Sequence, residues 1–97
     1  AQRIASEFYI PPLNIQEVAR YIDHRLKVAG RQEPLFSYRA IARIAEATRG
    51  IPRSINILCD MALVYGFAAE LTEIKVAVID EILRDRSEYG LLPAPTA

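Results

Sequence analysis

Gly50-Ile51-Pro52-Arg53-Ser54-Ile55-Asn56-Ile57-Leu58-Cys59-Asp60-Met61-Ala62-Leu63-Val64-Tyr65-Gly66-Phe67-Ala68-Ala69 is the stretch that the other segments serve. Gly50 can end a preceding helix, because glycine takes a left-handed cap at little cost. Pro52 can open the next one, since its missing N–H falls where helical amides lack partners anyway. The residues after Pro52 are apolar on almost every side, which predicts a helix to about Ala69 surrounded by other helices or by a membrane. Ile55, Ile57, Leu58, Leu63, Val64 and Phe67 are its expected share of the core, each large aliphatic contributing about 1.5–3 kcal/mol when buried. Arg53, Asn56 and Asp60 interrupt it at i, i+3 and i+7, a spacing that puts them on one face. A nearly all-apolar helix therefore carries one polar stripe, with an arginine in its first turn. That arginine is the candidate functional residue.

Upstream, Ser37 can cap a helix with Phe36 as the apolar residue before the cap, while Leu35 and Phe36 fold inward. Ile41, Ile44, Ala45 and Thr48 mark its buried side, and Arg39, Arg43 and Glu46 its wet side. Further back, Asn14-Ile15-Gln16-Glu17 reads as a capping box. It opens a helix from about Ile15 to Ala29 whose apolar face is Ile15, Val18, Ala19, Ile22 and Leu26, stopped by Gly30. Residues 1–13 read as an extended lead-in or hinge, because Pro11 and Pro12 forbid helix there. Downstream, Glu70-Leu71-Thr72-Glu73 is a turn. Ile74, Val76 and Val78 fit strand or helix, but Asp80-Glu81-Ile82-Leu83-Arg84-Asp85-Arg86 favours helix, from about Lys75 to Ser87. Tyr89-Gly90 ends it, and 91–97 form a frayed tail. The expected fold is all-α: a small bundle of about four helices over residues 14–90, built around the central apolar helix.

At 97 residues, 52% apolar and 25% charged, the chain is one small folded domain. Its net charge of +0 gives no general pull toward nucleic acid or anionic lipid. Arg39, Arg43 and Arg49 form either a local basic patch or, lacking interleaved aromatics, a solvated face. No apolar run reaches the roughly 18–20 residues needed to span a bilayer. The N-terminus lacks both the long apolar segment of a signal peptide and an initial Met, so the chain is expected to be cut from something larger. Cys59 reads as a buried thiol and His24 as a surface residue between Asp23 and Arg25. There is no phosphate loop of the GxxxxGK[ST] form, no metal-ligand set and no nucleophilic triad. Asp23, Glu46, Asp80 and Glu81 read as solvated carboxylates. On its own residues this chain is not an enzyme. What remains is Arg53 at a helix N-terminus, where exposed N–H groups and a guanidinium fork together favour a phosphate. The plain alternative is a surface arginine.

Pro12-Leu13, the block Tyr21-Ile22-Asp23-His24-Arg25-Leu26-Lys27-Val28-Ala29-Gly30, Phe36, Gly50-Ile51-Pro52-Arg53 and Ile55-Asn56-Ile57-Leu58-Cys59-Asp60 occur in an order that resembles the C-terminal lid of an AAA+ ATPase. The likeness is to the bacterial general secretion pathway protein A group and runs from about Gln2 to Leu92. It implies that Gly50-Ile51-Pro52-Arg53 is the sensor 2 motif, with Arg53 reaching the γ-phosphate of ATP. It implies that Ile51 and Pro52 lie near the adenine and that Pro11-Pro12-Leu13 is the hinge, so that Ile51, Pro52, Arg53, Pro12 and Leu13 are nucleotide-binding positions. Arg3 falls where such proteins carry an arginine finger that acts on the adjacent subunit; it is equally a terminal residue of a truncated chain. ATP and Mg²⁺ are implied for a parent ATPase whose core domain is absent here, and no bound cofactor is expected on the isolated chain. The implied partners are that core, neighbouring subunits of a homo-oligomer and a membrane export complex, in the cytoplasm. The competing readings are the lid of a DNA-transposition ATPase of the TniB type and a stand-alone helical adaptor.

Overall fold

A computed structural model of the chain describes residues 11–89, with side chains through Arg86. Arg3, most of the expected lead-in and the 91–97 tail lie outside the described residues. Among the described residues the architecture is four helices: α1 (Ile15–Val28), α2 (Tyr38–Thr48), α3 (Pro52–Ala68) and α4 (Val76–Tyr89). Helix α2 packs against all three others, and α3 also packs against α4. This is the expected small all-α bundle.

Local chemistry sets the helix starts. At α1 the Asn14 side chain accepts from the Glu17 N–H and the Glu17 carboxylate accepts from the Asn14 N–H, each at 2.9 Å. That closes both halves of the capping box and occupies two amides that a helix end leaves open. Ser37 caps α2 by accepting from the Ala40 N–H at 3.1 Å. Before α4, Ile74 sits in a short parallel bridge with Phe36, held by Ser37 N–H to Ile74 C=O at 2.9 Å and Ile74 N–H to Leu35 C=O at 2.8 Å. The valine-rich opening that fits strand or helix thus resolves into one bridged residue followed by helix.

The core joins Val18 and Ile22 of α1, Ala40 and Ile44 of α2, Ile55, Leu58, Cys59 and Ala62 of α3, and Ile79 and Ile82 of α4, with Phe36 and Ile74 from the loops. Gly66 lets α3 approach closely: a Cβ there would lie 3.2 Å from Ile74 Cδ1.

Three expectations need correction. Helix α3 is not enclosed: Val64 is 66% and Phe67 88% exposed, and Ile57 and Leu63 are 37% exposed. The reason is geometric. Among the described residues the neighbours of α3 lie on one side, so an all-round apolar sequence buries a single arc. Secondly, Arg43 and Asp80 are not independent solvated charges. Arg43 Nε donates to Asp80 Oδ1 at 2.8 Å across α2 and α4, and its Nη1 reaches Glu46 at 3.2 Å. This partnership breaks up the expected Arg39–Arg43–Arg49 face. Lastly, the residue closing α2 in the left-handed region is Arg49, at φ 56°, with Gly50 next in the chain at φ 73°.

Candidate functional site

The turn between α2 and α3 is built from Thr48 onward. Thr48 is a buried polar residue whose hydroxyl donates to the Ile44 C=O at 2.6 Å and accepts from the Gly50 N–H at 3.3 Å. The Ile51 N–H donates to the Thr48 C=O at 3.1 Å. Ile51, half exposed, occupies the N-cap of α3 in extended geometry and brings no side-chain oxygen to it; Pro52 is the first helical residue. The N–H groups of Arg53 and Ser54 have no acceptor within the helix. Arg53 itself is exposed and, among the described residues, forms no ion pair or hydrogen bond. A guanidinium and two open amides at the positive end of a helix dipole make a local environment suited to an anion.

Leu13 lies against this turn, its N–H donating to the Gly50 C=O at 2.8 Å. Five of the residues singled out from the sequence, Pro12, Leu13, Ile51, Pro52 and Arg53, are thereby brought to one end of the bundle. Pro12 is exposed, and Leu13 and Pro52 are partly buried.

The polar stripe of α3 divides. Asn56 Oδ1 accepts from the Tyr21 hydroxyl at 2.8 Å and also from Arg25 Nη1, and Arg25 Nη2 stands 4.0 Å from Asp60 Oδ1. Asn56 and Asp60 therefore tie α3 to α1, and among the described residues Arg53 is the member of the stripe without such a tie. Tyr21 and Arg25 were not legible as the partners of that stripe. Their i, i+4 spacing opposite Asn56 and Asp60 was the available signal.

Beside this tie, a cleft of about 90 Å³ opens between α1 and α3, with Ile22, Leu26, Phe36, Ile55 and Leu63 in its walls. Cys59 lines it too. Burial pushes the Cys59 thiol up from 9.0 to about 12, against the lowering effect of Arg25 and with a smaller push from Asp60. Such a thiol stays protonated and unreactive near neutral pH. Arg53 does not line this cleft. On the far side of α3 the Tyr65 hydroxyl donates to Asp85 Oδ2 at 3.1 Å, and that bond holds the phenol above its usual range. Among the described residues no three His, Cys, Asp or Glu side chains are placed to hold a metal ion, and no helix is long and apolar enough to cross a membrane.

Fold and site together define a class: a small all-α bundle with an arginine-bearing, side-chain-uncapped helix start at one end. Comparison with known proteins adds a relative. Over 68 residues, or 70% of the chain, the sequence is 43% identical to General secretion pathway protein A of Aeromonas hydrophila. The chain is related to that protein but spans only 12% of its length. No family model matches the chain. No solved structure matches it either.

Proposed function

We propose that this chain is the lid, carrying the sensor 2 arginine, of an AAA+ ATPase related to General secretion pathway protein A. The observation that carries the reading is Arg53: exposed, unpaired among the described residues, and mounted beside open helix amides in a Gly-Ile-Pro-Arg turn. Relatedness to a protein named for a secretion pathway supports a role in export of protein or polysaccharide.

The donor set fits a terminal phosphate of ATP, with Arg53 and the first-turn amides as donors. Pro12, Leu13, Ile51 and Pro52 offer an apolar wall to a base. The turn brings no carboxylate, so Mg²⁺ and most phosphate contacts would belong to a core domain. ATP would supply the free energy of the cycle, while this chain's residues bind and orient. Arg53 gains its contact only while a γ-phosphate is present, and the lid shifts by that differential contact energy alone. One charge-assisted bond of about 1.5–3 kcal/mol moves the closed population about ten- to a hundred-fold. Partners under this reading are the ATPase core, neighbouring subunits of a homo-oligomer and an export complex at the cytoplasmic face of a membrane.

Arg53→Ala in the protein that includes the nucleotide-binding half is the test. ATP turnover is expected to fall at least about ten-fold, or to uncouple from movement, and Arg53→Lys should rescue it only partly because lysine lacks the two-pronged fork. Wild-type turnover and wild-type coupling in Arg53→Ala would refute the assignment.

A further inference from the structure

We infer that Thr48 and Gly50 are positioning residues that fasten the lead-in backbone at Leu13 to the Arg53 turn, so that the two shift as one body. The fastening has a buried foot, a bridge and a close approach. The foot is the Thr48 hydroxyl, bonded to the Ile44 C=O at 2.6 Å and to the Gly50 N–H at 3.3 Å. The bridge is the Leu13 N–H to Gly50 C=O bond at 2.8 Å. The close approach is the one that only glycine permits. Gly50 has φ +73°, and a Cβ there would fall 2.0 Å from the Leu13 carbonyl oxygen and 2.6 Å from its nitrogen. Gly30, the other left-handed glycine among the described residues, has φ +97° but nothing within 4 Å of its Cβ position. Gly50 is thus held by contact as well as by conformation.

The consequence concerns where movement can start. Leu13 is bonded to the very turn that leads into Arg53, so no pivot lies between them, and any pivot ahead of the bundle lies at or before Pro12, whose ring leaves only ψ to change. Arg53 then stands next to the pivot. Helix α3, at 17 residues or about 25 Å, carries a small rotation at that end into a larger sweep at the Phe67 end. The fastening stands on this chain's own hydrogen bonds; its use in reporting nucleotide state rests on the reading of Arg53 above.

Amide hydrogen exchange, followed by NMR on the 97-residue chain, tests it. The Leu13 amide is expected to exchange at least about ten-fold more slowly than an unprotected amide. Thr48→Val removes the hydroxyl at nearly constant volume. It should speed exchange at Leu13 and Gly50 about ten- to a hundred-fold, the range expected for a lost buried partner. Leu58 and Ile82 amides should be unchanged, and Thr48→Ser should restore the protection. Gly50→Ala should free Leu13 as well; where that variant does not fold, Thr48→Val decides. Free exchange at Leu13 in the parent chain overturns the proposal. So does unaltered Leu13 protection in Thr48→Val, or acceleration spread equally through the core. None of these outcomes involves nucleotide, so an Arg53→Ala variant with normal ATP turnover would remove the reading of Arg53 and leave the fastening in place.

Discussion

The two sides of α3 share one composition and have opposite surroundings. The inner arc, Ile55, Leu58, Cys59, Ala62 and Gly66, is packed against α2, α4 and the loops. The outer arc, Arg53, Ile57, Val64 and Phe67, faces away from the other described helices, with Val64 and Phe67 largely and Ile57 partly exposed. Hydrophobic stabilisation follows area removed from water, not side-chain type. Of two isoleucines two positions apart, Ile55 is fully buried in the core and Ile57 keeps 37% of its surface exposed. The outer arc begins at Arg53, the side chain proposed to meet a phosphate.

The largest effect should come from the inner arc. Ile55→Ala empties a fully buried site and is expected to cost about 2–5 kcal/mol, read as a lower urea midpoint. A cost below about 1 kcal/mol would mean that the site collapses freely and that the two arcs differ less than their burial indicates.

A smaller effect, also from the inner arc, is set by pH. The folded thiol of Cys59 titrates near 12 against an ordinary 9.0. The unfolded chain therefore loses its proton first, so stability is full below pH 9 and declines as pH climbs toward 12. The decline from this group reaches about 1 kcal/mol near pH 10. Cys59→Ala should flatten that part of the stability–pH curve relative to the parent; parallel curves would show that the thiol titrates normally.

On the outer arc, Val64→Ala and Phe67→Ser should each change unfolding free energy by less than about 0.5 kcal/mol. A loss above about 1 kcal/mol in either would show that something in this chain covers that face. Smallest of all is the expected effect of Arg53→Ala on folding. Its thermal midpoint should match the parent, because no described partner is lost. A drop of several degrees would convert Arg53 into a structural residue and weaken the proposed function.

Much of this molecule was readable locally. Asn14 with Glu17, Ser37 before Ala40, and Pro52 at the head of α3 act within a few residues of themselves, so their spacing sufficed. The arginine at the start of α3 was legible for the same reason. Arg43 with Asp80, and Asn56 with Tyr21 and Arg25, were not, since each joins residues more than thirty positions apart. Nor was Phe67, because an apolar side chain says nothing by itself about whether a neighbour arrives to cover it.

By itself the sequence determined the helices, their starts at Asn14, Ser37 and Pro52, and an arginine at the head of an apolar rod, because hydrogen bonding and capping act over three or four residues. Only the tertiary structure decided which arc of the rod is dry, which charges pair, and that the backbone of Leu13 rests on Gly50. Those depend on contacts between distant segments, where close packing leaves room for one arrangement and no local rule states it.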